Sequence, residues 1–182
     1  MKVSRFLGIL ACSLGWTAPV SAEDQASARP EPIKGEIQFS SDAREKTVPA
    51  PFRLDDHRFA YEQRTMAKSA LGTRRFEVTF PSPVTTPHPL NNTVHCEYYL
   101  PEKRSDGKIP GVVVLHILGG EFYLSRLFCH HLAKHQVAAL FVKMPYYGPR
   151  RAKGNPTRMI SDNPTQTVKG VTQAGVDGRR AA

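Results

Sequence analysis

The chain has 182 residues, 40% hydrophobic and 9% aromatic, with 25 Lys and Arg against 16 Asp and Glu for a formal charge of +9. Three cysteines do not make a disulfide framework, and no stretch reaches the roughly 20 apolar residues of a membrane helix. What remains is a chain long enough for one domain with a real core.

Lys2 and Arg5 precede an apolar run from Phe6 to Trp16, then Ala18-Pro-Val-Ser-Ala22 and the acidic pair Glu23-Asp24. That order of charge, short apolar core and small residues predicts a secretory signal peptide over 1–22, cleaved after Ala22, and a secreted or periplasmic protein. A lipoprotein site at Cys12 is disfavoured, because only six apolar residues would precede it. Cleavage would remove Cys12, leaving Cys96 and Cys129 as small buried apolar residues or, less favoured, as one bridge. The charge is uneven: from Phe122 onward there are ten Lys and Arg against only Asp162 and Asp177. An acidic partner, or an acidic segment of the same protein, would balance that excess; no nucleic-acid motif is present.

Residues 23–73 read as a lead-in, partly mobile, broken by Pro30, Pro32, Pro49 and Pro51. Asp55-Asp56 at its start, Gly72 at its end and Phe59, Met66 and Ala70 between them predict a helix over 54–71. Alternation then predicts two strands, one with Phe76, Val78 and Phe80 inward, and one from Asn92 to Leu100 with Val94, Cys96, Tyr98 and Leu100 inward.

The run Ile109-Pro-Gly-Val-Val-Val-Leu-His-Ile-Leu-Gly-Gly120 has no polar face over Val112–Leu115, as expected of a strand covered on both sides. A helix follows, with Leu124, Leu127, Phe128 and Leu132 expected inward and Ser125, Arg126, His130 and Lys134 outward. Val137–Val142 is a further apolar strand, which completes a parallel βαβ unit. Tyr146 and Tyr147 sit in the loop beyond it. Ser161-Asp-Asn-Pro164 caps a last helix over 165–182, weakened by Gly170, Gly175 and Gly178 at roughly 1 kcal/mol each. The fold class is α/β: two N-terminal strands, a parallel βαβ unit and a C-terminal helix.

Residues 74–182 resemble the N-terminal half of an α/β-hydrolase domain, most similar to the dienelactone hydrolase and acetyl-xylan-esterase-like branch. The resembling pieces are the two strands, Val112-Val-Val-Leu-His-Ile-Leu-Gly-Gly120, the helix after it, and Leu140-Phe-Val-Lys-Met-Pro-Tyr-Tyr-Gly148. The resemblance implies a carboxylic ester hydrolase acting on a small-molecule ester, with no cofactor, and makes Leu118, Gly119 and Gly120 the oxyanion-loop candidates. Ile117 stands where the family has a glycine. The family's nucleophile lies on a G-x-S-x-G turn, followed by an acid and a histidine; no G-x-S-x-G occurs in this sequence. No catalytic residue is therefore assigned, and the chain is expected to be truncated before its nucleophile and inactive alone. The nucleophile's strand pairs with Val112–Leu115 in the family, so that strand is expected to be an open edge prone to self-association.

Four further readings stay open at this point. His116 is expected to brace the loop by hydrogen bonds, the less favoured alternative being a substrate contact or a base, and Tyr146 and Tyr147 either line a pocket or cover the sheet end. His131 and His135, at i, i+4, are expected to be solvated rather than metal ligands. Arg150, Arg151 and Lys153 are expected in a solvated loop. Two other functions compete with ester hydrolysis: a non-catalytic exported module binding an acidic partner through the basic last third, and a phosphate site at Gly119, Gly120 and the helix N-terminus.

Overall fold

Period-two alternation governs the strands, and the outcome is a mixed six-stranded sheet with one helix on each face. The structure, a computed structural model, describes residues 31–67, 69, 71–103, 107–119 and 122–182; the expected signal peptide over 1–22 lies outside them. The strands are β1 (Ile33–Phe39), β2 (His57–Thr65), β3 (Thr73–Pro81), β4 (Thr93–Pro101), β5 (Gly111–Leu115) and β6 (Ala138–Val142), in the spatial order β1-β2-β3-β4-β6-β5. Only the β5–β6 pair is parallel. The helices are α1 (Tyr123–Lys134), between the parallel strands, and α2 (Pro164–Ala181). No helix among the described residues is long and apolar enough to cross a membrane.

The two strands expected from alternation form as β3 and β4, with Phe80, Val94 and Cys96 on the inward face. The other face of β4 is buried too: Tyr99 lies beneath α1 with Val114, Cys129, Ala133, Ala139 and Phe141. Cys96 and Cys129 thus belong to cores on opposite sides of the sheet, and both thiols are free. Burial pushes each thiol up to about 12 and keeps it an inert apolar group.

The helix expected over 54–71 does not form. Those residues contain β2, paired to β1 over His57–Gln63 and to β3 over Glu62–Thr65, which places Phe59 against Phe80 and Val94. Cross-strand pairing and burial of Phe59 outweigh the weak helical spacing of the apolar residues. Asp56 does not start a helix; its carboxylate accepts from both the Ser41 amide and the Ser41 hydroxyl.

The orientation of α1 also differs from the expectation. Ser125, Cys129, His130 and Ala133 face the sheet, while Leu124, Leu127 and Phe128 are about half exposed. The reason is the seat: Tyr99 and Phe141 stand up from the sheet, and only small residues let the helix axis approach them closely. His130 accordingly forms a 2.7 Å hydrogen bond with Thr73 and meets Tyr99 edge-on. β5 is likewise not covered on both sides; it is the last strand of the sheet, with Val112 and Leu115 each more than 40% exposed.

α2 forms as expected, capped by Asn163, whose carboxamide oxygen accepts from the Thr165 and Gln166 amides. Its glycines are not equivalent. A Cβ at Gly170 would lie 2.8 Å from the Met159 carbonyl oxygen, whereas one at Gly178 meets nothing within 4 Å. Gly170→Ala is therefore expected to destabilise the fold by about 1–3 kcal/mol through forced overlap, and Gly178→Ala to stabilise it by up to about 1 kcal/mol. Denaturant midpoints of the two variants should move in opposite directions; movement in the same direction would refute the packing account of Gly170.

Candidate functional site

The loops leaving β5 and β6 meet at the carboxyl edge of the parallel pair, and hydrogen bonds connect them. The His116 ring is buried; its Nδ1–H donates to the Ile117 carbonyl at 2.8 Å, and its Nε2 accepts from the Met144 amide at 3.2 Å. Accepting at Nε2 requires a neutral ring, and burial pushes the ring below its ordinary value, opposed only by the Ile117 carbonyl. The Tyr147 hydroxyl donates to the Leu118 carbonyl at 2.6 Å, and its ring packs edge-on against His116 at 4.6 Å.

Together these contacts orient two successive peptide groups. In a trans peptide the N–H points opposite to the C=O of the same unit. With the Ile117 carbonyl turned to His116 and the Leu118 carbonyl turned to Tyr147, the amides of Leu118 and Gly119 point the other way. Gly119 is exposed, and a Cβ on it would meet nothing within 4 Å. Gly120, the third oxyanion candidate, lies outside the described residues. α1 begins just beyond, and its N-cap residue Phe122 makes no side-chain capping hydrogen bond.

The two tyrosines diverge. Tyr147 braces the loop, whereas Tyr146 is buried against His88, takes φ 63° and donates its amide to Asn91 Oδ1. A non-glycine residue in that region is strained and persists only where its surroundings fix it. Both line a shallow cavity of about 300 Å³ with Arg151 and Lys153. A larger hollow of about 710 Å³ lies under the end of α2 and over the amino ends of β5 and β6, at the other end of those strands from this loop.

Sequence reasoning missed a charged cluster beneath α1. Glu97 on β4, fully buried, accepts from Arg126 and from the Tyr99 hydroxyl, and Lys143 lies 3.2 Å away. Burial alone would raise the Glu97 carboxyl, but hydrogen bonds from Arg126 and Tyr99 and the charge of Lys143 outweigh it and hold it at about 2. Arg126 and Lys143 flank the Phe122 ring, which itself packs against His116. The cluster thereby fixes the start of α1 beside the loop. Its sequence signal was a carboxylate amid inward-facing residues of β4 and a lysine directly after an apolar strand.

The other candidates fall elsewhere. The His131 and His135 rings lie 4.3 Å apart, tilted to each other, on the exposed side of α1, and no group of three or more His, Cys, Asp or Glu that could hold a metal occurs among the described residues. Arg150, expected in a solvated loop, is fully buried and pairs with Asp177 at 2.8 Å; Lys153 is exposed. No protein-family model matches the chain, and no curated protein matches it.

Two outcomes follow. The ring signals of His116 should titrate below the ordinary value of 6.5 in NMR, and the Leu118 and Gly119 amide signals should move with them, because a protonated Nε2 can no longer accept from Met144. Glu97 has a folded value near 2 against 4.5 when unfolded, so its stabilisation is complete above pH 4.5 and disappears as pH falls towards 2. Glu97→Gln should cost about 3 kcal/mol at neutral pH by leaving Lys143 buried and unpaired, and the gap to the wild type should close between those two pH values in denaturant titrations.

Proposed function

We propose that this chain is an exported protein of the α/β-hydrolase type, related to carboxylic ester hydrolases, in which Leu118 and Gly119 supply the oxyanion donors of an ester-cleaving site. One observation carries the reading: the two carbonyls preceding those amides are tied back by His116 and Tyr147, so that both N–H groups are turned the other way before any ligand arrives. The helix start beside the loop adds favourable dipole. β5 also has a free side among the described residues, where the hydrolase reading puts the strand that bears the nucleophile.

The chain carries no G-x-S-x-G turn, so alone it offers donors without an attacking group. His116 does not replace the missing base, since both ring nitrogens are engaged. The competing reading, an acidic partner on the basic last third, is weakened because Arg126, Lys143, Arg150 and Arg179 all have carboxylate partners within the chain.

The purified chain should hydrolyse a small aryl ester no more than on the order of 10³-fold above water, and a serine-directed phosphonate should not inhibit it. Methylphosphonate, a small tetrahedral anion, should shift the Leu118 and Gly119 amide resonances, and Tyr147→Phe should abolish the shift. Inhibition by the serine reagent would overturn the claim of a missing nucleophile. Shifts confined to Lys134, Lys153 and Arg158 would overturn the oxyanion assignment.

A further inference from the structure

Among the described residues, β5 is an open edge of the sheet, and α1 carries apolar residues on its outward face. Ala138 donates its amide to the Pro110 carbonyl, and backbone groups alternate sides along a strand, so Gly111, Val113 and Leu115 turn their N–H and C=O groups to the open side. From Ile109 to Leu118 the chain holds no Lys, Arg, Asp or Glu, the residues that ordinarily guard an edge. Along α1, the flank bearing Arg126 and His130 reaches Glu97 on β4 and Thr73 on β3. In the sheet order β3-β4-β6-β5, the opposite flank with Leu124 and Phe128 therefore overhangs the β5 side.

We propose that this surface is the interface of a symmetric dimer with a second copy of the chain. A two-fold axis perpendicular to the sheet sets β5 antiparallel to its counterpart and leaves both α1 helices on the same face, so that one sheet runs through both copies and the Leu124–Phe128 flanks meet. Area is consistent with that occupant. Val112, Leu115, Ile117, Leu124, Leu127 and Phe128 are each between 41% and 59% exposed. At about 200 Å² for a fully exposed large side chain they present roughly 600 Å², close to the ~800 Å² that one partner contributes to a stable interface once the edge backbone is added. Such a patch stands at the upper end of what an isolated monomer ordinarily leaves exposed.

Light scattering on the full chain at micromolar concentration tests the dimer. The expected mass is twice the 20.2 kDa of one chain, with the Val113 and Leu115 amides protected from hydrogen exchange. The double variant Leu124→Glu, Phe128→Glu changes two exposed residues, so its far-UV circular dichroism should match the wild type. It should raise the dissociation constant by roughly a hundredfold or more and expose both amides to exchange. A monomer throughout the concentration range, open-ended aggregation, or association that survives the double variant would each overturn the proposal. Because the exchange measurement on the wild type stands alone, an unfolded variant would leave the test intact: fast exchange at Val113 and Leu115 in an associated wild type would sink the idea.

Discussion

A fully buried charge pair, Arg150 with Asp177, holds the parts of this structure together. Asp177 sits on α2, and Arg150 lies in the turn after β6. The guanidinium also donates to the carbonyls of Asn91 and Lys143, and Asp177 accepts from the Ser82 hydroxyl at the end of β3. Gln173, one turn back along α2, exchanges hydrogen bonds with Asn91, whose side chain in turn receives the Tyr146 amide. Four elements distant in sequence thus share one polar knot. Removing a single member strands a charge without water, which is why such pairs hold position more decisively than they add net stability. The strained Tyr146 backbone, and hence the placement of Tyr147 against Leu118, depends on that knot.

The same pairing logic explains the lopsided charge. Basic residues concentrated after Phe122 suggested an external acidic partner, yet several of them reach carboxylates contributed by residues before Phe122. Arg126 and Lys143 meet Glu97, and Arg179 meets Glu45 at 2.5 Å. The imbalance along the sequence is in part the imprint of long-range contacts, since a fold that joins β4 to α1 and α2 to the lead-in segment needs opposite signs at distant positions. Composition counted by thirds does not show that.

Legibility followed the strength of the local signal. β3, β4, β6 and the cap of α2 were readable because alternation, a short apolar run and Asn163-Pro164 each dictate conformation over a few residues. β1 was not, because it has no buried residue and is specified by pairing with β2. The face of α1 was misread for a physical reason: hydrophobicity ranks leucine above serine and alanine, but close approach to Tyr99 and Phe141 demands small side chains. At the candidate site, the strand-loop-helix pattern located the loop that carries His116 and Gly119. The Tyr147 hydroxyl contact and the burial of Glu97 required the fold, because both join loops or strands far apart in sequence.

The misread face of α1 bears on function more than the strands do. Large apolar residues turned away from a helix's own sheet carry a cost in water, and sequences keep them where another surface covers them. Two occupants compete for that position: a strand and helix continuing the sheet, as the hydrolase reading requires, and a second copy paired edge to edge. They use the same N–H and C=O groups of Gly111, Val113 and Leu115, so they exclude each other. On the hydrolase reading, a strand completing the sheet across β5 would displace the proposed dimer, and the dimer would block that strand. Under those two proposals, oligomeric state and access of an attacking group to Leu118 and Gly119 would be coupled through a single strand edge.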